Sequence, residues 1–305
     1  MSSLSTRLKR VKYGLDTPKE FLLTVIDKVY LTITGKLPLL SANEHTKRLL
    51  KKYKVDNGYI IKDMRFPALD RDEEMGFFIG VFDDSFTSYV YFNDSYSENV
   101  VDLCDSMTHE GVYGLVNDKV NVTVEPGDVV IDAGSWIGDF AAYASVKGAK
   151  SVYAFEPGDK IFQILIETSK LNKNIIPVKK GLSDKNVKAN FIISGTGSTF
   201  MDKPIGITED TTLSDSEIVE TTTLDDFVKE NNLERVDFIK SDIEGFERNL
   251  LKGAQETLRK FAPKLALCTY HLPDDPQVME ALIKQANPNY NVVHKSKKLY
   301  ASVPE

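Results

Sequence analysis

Two stretches decide the fold: Val129-Val130-Ile131-Asp132-Ala133-Gly134-Ser135-Trp136-Ile137-Gly138, and, further along the chain, Tyr153-Ala154-Phe155-Glu156-Pro157. The first pattern indicates a buried parallel strand that enters a glycine-containing turn. The second indicates another strand with an acidic residue at its carboxyl end. In α/β sheets, small residues at such a turn let the backbone approach a ligand, and the following helix offers free N–H groups. An acidic side chain after the second strand can accept hydrogen bonds from ribose hydroxyls. The sequence therefore predicts a nucleoside cofactor site.

The spacing of the glycines favours one cofactor class. Gly134 and Gly138 follow a Gly-x-x-x-Gly pattern rather than the Gly-x-Gly-x-x-Gly of dinucleotide sites. Without that cradle for a pyrophosphate, S-adenosylmethionine, which carries no phosphate, is the predicted cofactor. A nicotinamide-dependent oxidoreductase built on the same sheet is the less favoured alternative.

From about residue 120 onward, strand and helix patterns alternate, which predicts an α/β fold with a mostly parallel, doubly wound sheet. Residues 116–305 are the predicted cofactor-binding domain. The predicted strands are 129–132, 151–156, 175–181, 188–193, 236–240, 265–270, 291–294 and 298–301, the last two as a hairpin. The predicted helices run through 140–144, 159–171, 223–227, 246–258 and 277–286.

Residues 1–115 are predicted to form a helical and mixed accessory region, which is a candidate substrate lid. Capping boxes at Thr17-Pro18-Lys19-Glu20 and Ser41-Ala42-Asn43-Glu44 predict two helices, the second ending near Asn57-Gly58. Residues 76–82 and 89–92 are candidate strands.

Composition limits the function classes. The net charge of −7 argues against a dedicated nucleic-acid binder. Cys104 and Cys268 lie far apart in apolar surroundings, which favours reduced thiols in a cytoplasmic protein. No apolar run reaches the roughly 18 residues that a membrane span needs. Residues 1–60 carry twelve Lys/Arg and five Asp/Glu, so this segment is a candidate contact for a membrane surface or protein partner. Solvated helix faces are the simpler explanation.

Polar residues follow five successive predicted strands, at the edge of the sheet where doubly wound folds bind ligands. A single carboxylate there often just caps the next helix. The whole series favours a ligand site, and it comprises Asp132, Glu156, Ser183, Asp184, Asp242, Glu244 and His271.

These residues resemble those of the FkbM-like family of S-adenosylmethionine-dependent methyltransferases. The resemblance covers roughly residues 108–302. It implies a Rossmann-like class I methyltransferase fold with a seven-stranded sheet, and O-methylation of a sugar, glycan or specialised metabolite. The matching segments are 129–140, 155–157, 181–184, 223–227, 237–245, 270–271 and 298–301.

The resemblance also implies roles for individual residues. Asp132, Gly134, Ser135 and Gly138 would surround the methionine part of the cofactor, and Glu156, followed by Pro157, would hold the ribose. Ser183 and Asp184 would lie beside the adenine, and Asp242 near the sulfonium. Trp136 either stacks on the cofactor or packs beneath the loop, whereas Tyr113, in the segment 110–114, either closes over the cofactor or anchors an ordinary turn.

Methylation of a hydroxyl requires loss of its proton, and a positioned base accelerates that step. His271 is the first candidate base and Glu244 the second, although His271 could instead bond a neighbouring loop and Glu244 could simply favour a helix N-terminus. Asp242, Glu244 and His271 could also bind a divalent metal, but carboxylates beside a sulfonium do not require one. Residues 194–199 are either part of an acceptor pocket or a surface turn. A methyltransferase-like module without catalytic activity, acting as a binding partner, is the remaining alternative.

Overall fold

The computed structural model describes residues 54–55, 58–61, 64–67, 113–192, 199–200, 216–295 and 297–304. The chain divides into two units, Met1–Asp105 and Ser106–Glu305. The described part of the first unit is an antiparallel sheet of β1 (Lys54–Val55), β2 (Gly58–Ile61) and β3 (Met64–Pro67).

The predicted end of the second N-terminal helix is wrong. Lys54 and Val55 form a strand that pairs with Tyr59 and Gly58, so the predicted helix does not include Lys54–Val55. Val55, Tyr59 and Ile60 are residue types that favour strands, which explains why strand rather than helix is found here. The other elements predicted within residues 1–112 lie outside the described residues.

The second unit contains the predicted seven-stranded sheet. Its strands are β6 (Val129–Ala133), β7 (Ser151–Phe155), β8 (Ile175–Val178), β13 (Phe238–Ser241), β14 (Lys264–Cys268), β15 (Asn291–Lys295) and β16 (Lys298–Ser302). Their order across the sheet is β15-β16-β14-β13-β6-β7-β8, and β16 alone runs opposite to the other six. The strand order reverses between β6 and β13, so a ligand crevice is expected outside their carboxyl ends.

Six described helices accompany this sheet. The helix predicted over 246–258 is in fact two helices that meet at Gly253-Ala254. A side chain at Gly253 would overlap the backbone carbonyl of Ser183, so the break brings the chain close to the end of a neighbouring strand. The helices are α1 (Asp139–Val146), α2 (Asp159–Leu171), α3 (Leu224–Glu230), α4 (Glu247–Lys252), α5 (Gln255–Phe261) and α6 (Asp275–Ala286).

The strand predicted over 175–181 is also divided. β8 ends at Val178, where Lys180 N donates to Val178 O at 2.9 Å, and β9 (Gly181–Leu182) joins a second sheet by pairing with β12 (Ser216–Thr222). That sheet has the order β11-β10-β12-β9, with β10 (Lys188–Ile192) and β11 (Thr199–Phe200). A short ribbon of β4 (Leu115–Val116) and β5 (Asn121–Val122) completes the described strands.

The central strands of the sheet lie in the core of this unit. Every residue of β6 and β13 is buried, as expected for parallel strands covered by helices on both faces. Cys268 is a buried free thiol at the end of β14, whereas Cys104 lies outside the described residues. Across the parts of the chain that the structure describes, no helix has the length and apolar character needed to cross a membrane.

Candidate active site

The glycine turn after β6 is held against two neighbouring strand ends. Ser135 N donates to Phe155 O at 2.8 Å, and Asp242 N donates to Ala133 O at 3.1 Å. Gly134 has a φ of +71°, and a Cβ there would overlap the carbonyl oxygen of Asp242. Glycine is therefore required because two backbones approach each other closely.

Gly138 has a different role in the turn. It precedes α1 with a φ of +87°, and a Cβ there would lie 2.9 Å from Cδ1 of Leu165 on α2. The protein itself thus accounts for both glycines of the motif. Ser135 is buried and Trp136 is half-buried with a φ of +50°. Their contact with a cofactor stays a prediction.

Asp132 lies beneath this turn and is fully enclosed. Its carboxylate is 0 % exposed and pairs with Lys240 Nζ of β13 at 3.0 Å. Lys240 Nζ also donates to Gly134 O at 2.7 Å, so the ion pair supports the turn from below. Burial alone would lower the pKa of Lys240, but Asp132, Asp242 and Asp139 outweigh it and raise that pKa above its usual value.

Glu156 follows β7 as predicted and is buried. Its Oε1 accepts the N–H of Gly158 at 2.9 Å, immediately before α2 begins. Burial raises the pKa of Glu156 to about 8, against hydrogen bonds from the Gly158 and Trp136 backbone and the charge of Lys240. Glu156 therefore serves the local turn, as a capping carboxylate would, while lying at the position predicted for ribose binding.

For Pro157 and for the residues predicted to lie beside the adenine, the structure gives less direct support. Pro157 is buried and precedes α2 rather than starting its first turn. Ser183 is buried after β9, and its Oγ donates to Asp184 Oδ1 at 3.2 Å. Asn249 of α4 also donates to Asp184 Oδ1, at 3.3 Å. Ser183 and Asp184 thus follow a strand of the second sheet, and their contact with adenine stays a prediction.

The structure brings Tyr113, Asp242, Glu244 and His271 together at the ends of β13 and β14. Tyr113 Oη donates to Asp242 Oδ2 and Tyr270 Oη to Asp242 Oδ1, both at 2.9 Å. His271 Nε2 lies 3.1 Å from Glu244 Oε2 and 3.9 Å from Asp242 Oδ1. Tyr113 is buried edge-on against Phe140, so it forms part of the site wall in this conformation.

Glu247, the first residue of α4, fixes the turn that carries Glu244. Its two carboxylate oxygens accept the N–H groups of Ile243 and Gly245, at 2.8 and 3.0 Å. The same carboxylate lies 3.4 Å from His271 Nδ1. Glu247 is almost completely buried, so it contacts both the turn and the imidazole from the interior of the protein.

The electrostatics of His271 bear on its predicted role. Burial opposes a charge on the imidazole, but the neighbouring carboxylates of Glu244 and Glu247 outweigh that effect and raise the pKa of His271 to about 10. In this conformation the ring holds its second proton at neutral pH. A role as proton acceptor therefore requires that this proton first be displaced.

Sequence reasoning missed the roles of Lys240, Glu247 and Tyr270. Lys240 carried a usable signal, because a lysine in a central strand, directly after Phe238 and Ile239, requires a buried partner. Glu247 had none, since an acidic residue in the first turn of a helix is common without any ligand.

A model of the Methyltransferase FkbM domain matches residues 131–290, which is more than half of the chain. The chain belongs to this family. The matched segment of this FkbM domain runs from β6 to the residue before β15, and thus includes Glu156, Asp242, Glu244 and His271. The class I methyltransferase fold expected from the resemblance is confirmed.

One curated relative of this FkbM domain is a hexuronic acid methyltransferase, AglP, from Haloferax volcanii. The two are 29 % identical over 165 residues, which is 53 % of this chain and 64 % of the relative. The chain thus spans less than two thirds of that protein.

Two solved structures are similar at lower identity. A methyltransferase FkbM from Methylobacillus flagellatus KT is 21 % identical, with 59 % of this chain and 44 % of that chain covered and a TM-score of 0.45. Aeropyrum pernix fibrillarin with natively bound S-adenosyl-L-methionine is 12 % identical, with 60 % and 70 % covered and a TM-score of 0.37.

Proposed function

We propose that this protein is an S-adenosylmethionine-dependent O-methyltransferase whose acceptor is a hydroxyl of a sugar or glycan. One observation carries the proposal: Tyr113, Asp242, Glu244 and His271 converge beside the glycine turn of a chain that belongs to the FkbM family. The similarity to a hexuronic acid methyltransferase supports hexuronic acids as the acceptor class to test first.

In the proposed reaction, the acceptor oxygen attacks the methyl carbon of the cofactor. The carbon–sulfur bond breaks, its electron pair stays on sulfur, and the positively charged sulfonium becomes a neutral thioether. The protein's contribution is to align the two reactants, which is worth roughly 7–11 kcal/mol in favourable cases. The hydroxyl proton must also leave, and a positioned base typically accelerates such a step about 10²–10⁴-fold.

The proposed roles of the residues follow their positions. Glu156 binds the ribose, the turn containing Gly134 borders the methionine part, and Asp242 faces the sulfonium. Glu244 and His271 lie where they can receive the acceptor proton, directly or through a bound ligand. Asp242 and Glu244 support these roles because their side chains are 26 % and 28 % exposed, so a ligand can reach them.

Cofactor binding is tested by isothermal titration of the full chain with S-adenosylmethionine, S-adenosylhomocysteine and NAD. We expect the two adenosyl ligands to bind at micromolar strength and NAD not to bind. Glu156→Ala should weaken both adenosyl ligands at least tenfold, about 1.4 kcal/mol. Binding of NAD alone would favour the oxidoreductase, and binding of none would favour the module without catalytic activity.

The acceptor is tested with cofactor labelled in its methyl group and a panel of free and nucleotide-linked hexoses and hexuronic acids. A hexuronic acid offers both hydroxyls and a carboxylate, so the position of the label matters. Label that survives alkaline hydrolysis lies in an ether, as O-methylation of a hydroxyl requires. Label released by alkali lies in a methyl ester and would contradict the hydroxyl acceptor.

The basic segment 1–60 is proposed as a contact for an anionic membrane surface or protein partner, which its excess of Lys/Arg supports. Co-sedimentation with anionic vesicles, comparing the full chain with a chain that lacks residues 1–60, tests the membrane form. Equal pelleting of both chains would exclude it.

A further inference from the structure

Three side chains at the ends of β13 and β14, Asp242, Glu244 and His271, form what we call the strand-end cluster. One ligand atom from each lies within 4.8 Å of the others. Two ligands that each lie about 2.1 Å from an ion at right angles are roughly 3.0 Å apart. The separation of 3.1 Å between His271 Nε2 and Glu244 Oε2 fits this spacing, and the 3.9 Å to Asp242 Oδ1 requires only a small movement.

The imidazole of His271 provides a second, independent observation. Its side chain is 6 % exposed, and neither ring nitrogen makes a hydrogen bond of good geometry to the described residues. The nearest oxygens of Glu244 and Glu247 lie 3.1 and 3.4 Å from Nε2 and Nδ1, which is within ion-pairing distance. Buried polar atoms in native proteins are normally satisfied, so this arrangement favours a ligand that contacts both the ring and the carboxylates.

The surroundings of the strand-end cluster match those of a metal site. Glu247 lies 3.4 Å from His271 Nδ1, and a carboxylate at that nitrogen is the usual means of directing the other ring nitrogen at a metal. Glu247 also holds the backbone on both sides of Glu244. Both oxygens of Asp242 accept tyrosine hydroxyls, which orients this carboxylate while leaving it lone pairs.

The geometry points to a divalent cation site formed by Asp242, Glu244 and His271, with open positions that two neighbouring oxygens of the acceptor occupy. One imidazole with two carboxylates suits Mn²⁺ or Zn²⁺ better than Mg²⁺ or Ca²⁺, which prefer oxygen ligands alone. The second half of this inference rests on the proposed function, and it narrows the acceptor to molecules with adjacent oxygens able to chelate.

The cation has a defined role in the proposed reaction. It lowers the pKa of the bound acceptor hydroxyl, so the proton passes to solvent before methyl transfer. The resulting alkoxide then attacks the methyl group, and no change of oxidation state is involved. The residues of the strand-end cluster act as ligands in this step, and His271 then does not accept the proton.

The test is titration of the chelator-treated full chain with Mn²⁺ alone, followed by calorimetry and by loss of the free Mn²⁺ signal in electron paramagnetic resonance. We expect one ion per chain at micromolar strength. Glu244→Gln and His271→Gln should each weaken binding at least tenfold, and Glu247→Gln about 10–100-fold through the orientation of His271.

A matched control lies elsewhere in the chain. His294 and Glu280 form an exposed pair, 2.8 Å apart, on β15 and α6, and His294→Ala should bind Mn²⁺ like the unaltered chain. Thermal unfolding without metal shows whether each variant is folded. If His271→Gln is unfolded, Glu244→Gln still tests the site, because Glu244 is at a half-exposed position. The inference is overturned if neither Mn²⁺ nor Zn²⁺ saturates the unaltered chain at 1 mM. It is also overturned if Glu244→Gln and His271→Gln both bind Mn²⁺ as tightly as the unaltered chain does.

Methyl transfer with and without chelator separates this inference from the proposed function. Full transfer in the presence of chelator, together with no Mn²⁺ binding, overturns the metal site and leaves the methyltransferase assignment intact. Mn²⁺ binding that depends on Glu244 and His271 supports the metal site even if no acceptor in the panel is methylated.

Discussion

Replacing Gly134 with alanine tests how the glycine turn is built. Its φ is +71°, and an added Cβ would overlap the carbonyl oxygen of Asp242 and lie 2.9 Å from its carbonyl carbon. Neither partner can move freely. The turn is tied to β7 through Ser135 N and Phe155 O, and Asp242 is tied to β6 through Ala133 O. Gly134→Ala must therefore displace the turn, Asp242 or both.

The cost has two parts. A non-glycine residue in the left-handed region costs roughly 1–2 kcal/mol. Forcing an extra carbon into a packed backbone contact costs about 1–3 kcal/mol more. The free energy of unfolding should thus fall by roughly 2–5 kcal/mol. For a unit of this size, the melting temperature falls by about 2–4 °C for each kcal/mol.

Gly127→Ala is the matched control, because Gly127 has a φ of +89° and no atom within 4 Å of an added Cβ. It carries the conformational cost without the overlap. Urea unfolding should show Gly134→Ala to be at least about 1 kcal/mol less stable than Gly127→Ala. Calorimetry should show at least tenfold weaker S-adenosylmethionine binding for Gly134→Ala alone. Equal stability of the two variants would refute the close approach of the two backbones.

Three further predictions concern polar side chains and their partners. Because Glu156 titrates at about 8 when folded and near 4.5 when unfolded, stability should fall between pH 5 and pH 8, by up to about 1.4 kcal/mol per pH unit. Glu156→Gln should flatten that slope in urea unfolding. Lys240→Met leaves Asp132 unpaired and should cost about 3–5 kcal/mol of unfolding free energy. Tyr113→Phe should cost about 1.5–3 kcal/mol, and Tyr270→Phe, at a residue 46 % exposed, less than about 1 kcal/mol.

Each of these predictions has an outcome that contradicts it. An unchanged pH slope in Glu156→Gln would mean that this carboxylate is already ionised in the folded protein. Adding Asp132→Asn to Lys240→Met should restore much of the lost stability, and a simple sum of the two single effects would argue against their pairing. Equal effects of the two tyrosine variants would contradict the difference in burial on which the prediction depends.

Sequence periodicity predicted the central sheet well, because buried parallel strands leave a local signal. Val129–Ala133 and Lys264–Cys268 are short apolar runs, and their observed ends differ from the predicted ones by at most two residues. The sequence could not show that the chain leaves the main sheet after Val178. That choice depends on the pairing of Gly181-Leu182 with Thr221-Thr222, which are distant in sequence.

The site was predictable to the extent that topology alone determines it. Parallel strands end at one edge, so the polar residues after β13 and β14 had to lie near each other, and Asp242, Glu244 and His271 do. A local sequence pattern does not identify the partner of a buried polar group. Lys240 lies far from Asp132 in sequence, and only the register of β13 against β6, which pairs the two residues, brings them together.

Burial divides the acidic residues at this edge of the sheet into two kinds, and the division bears on function. Asp132 and Glu247 are enclosed and already engaged, one with Lys240 and the other with two backbone N–H groups, so they can shape a site but are not accessible to a ligand in this conformation. Asp242 and Glu244 are partly exposed, and their oxygens lie around one imidazole nitrogen. A ligand or ion that approaches this edge therefore meets Asp242 and Glu244, while the enclosed acids determine how precisely those two are held.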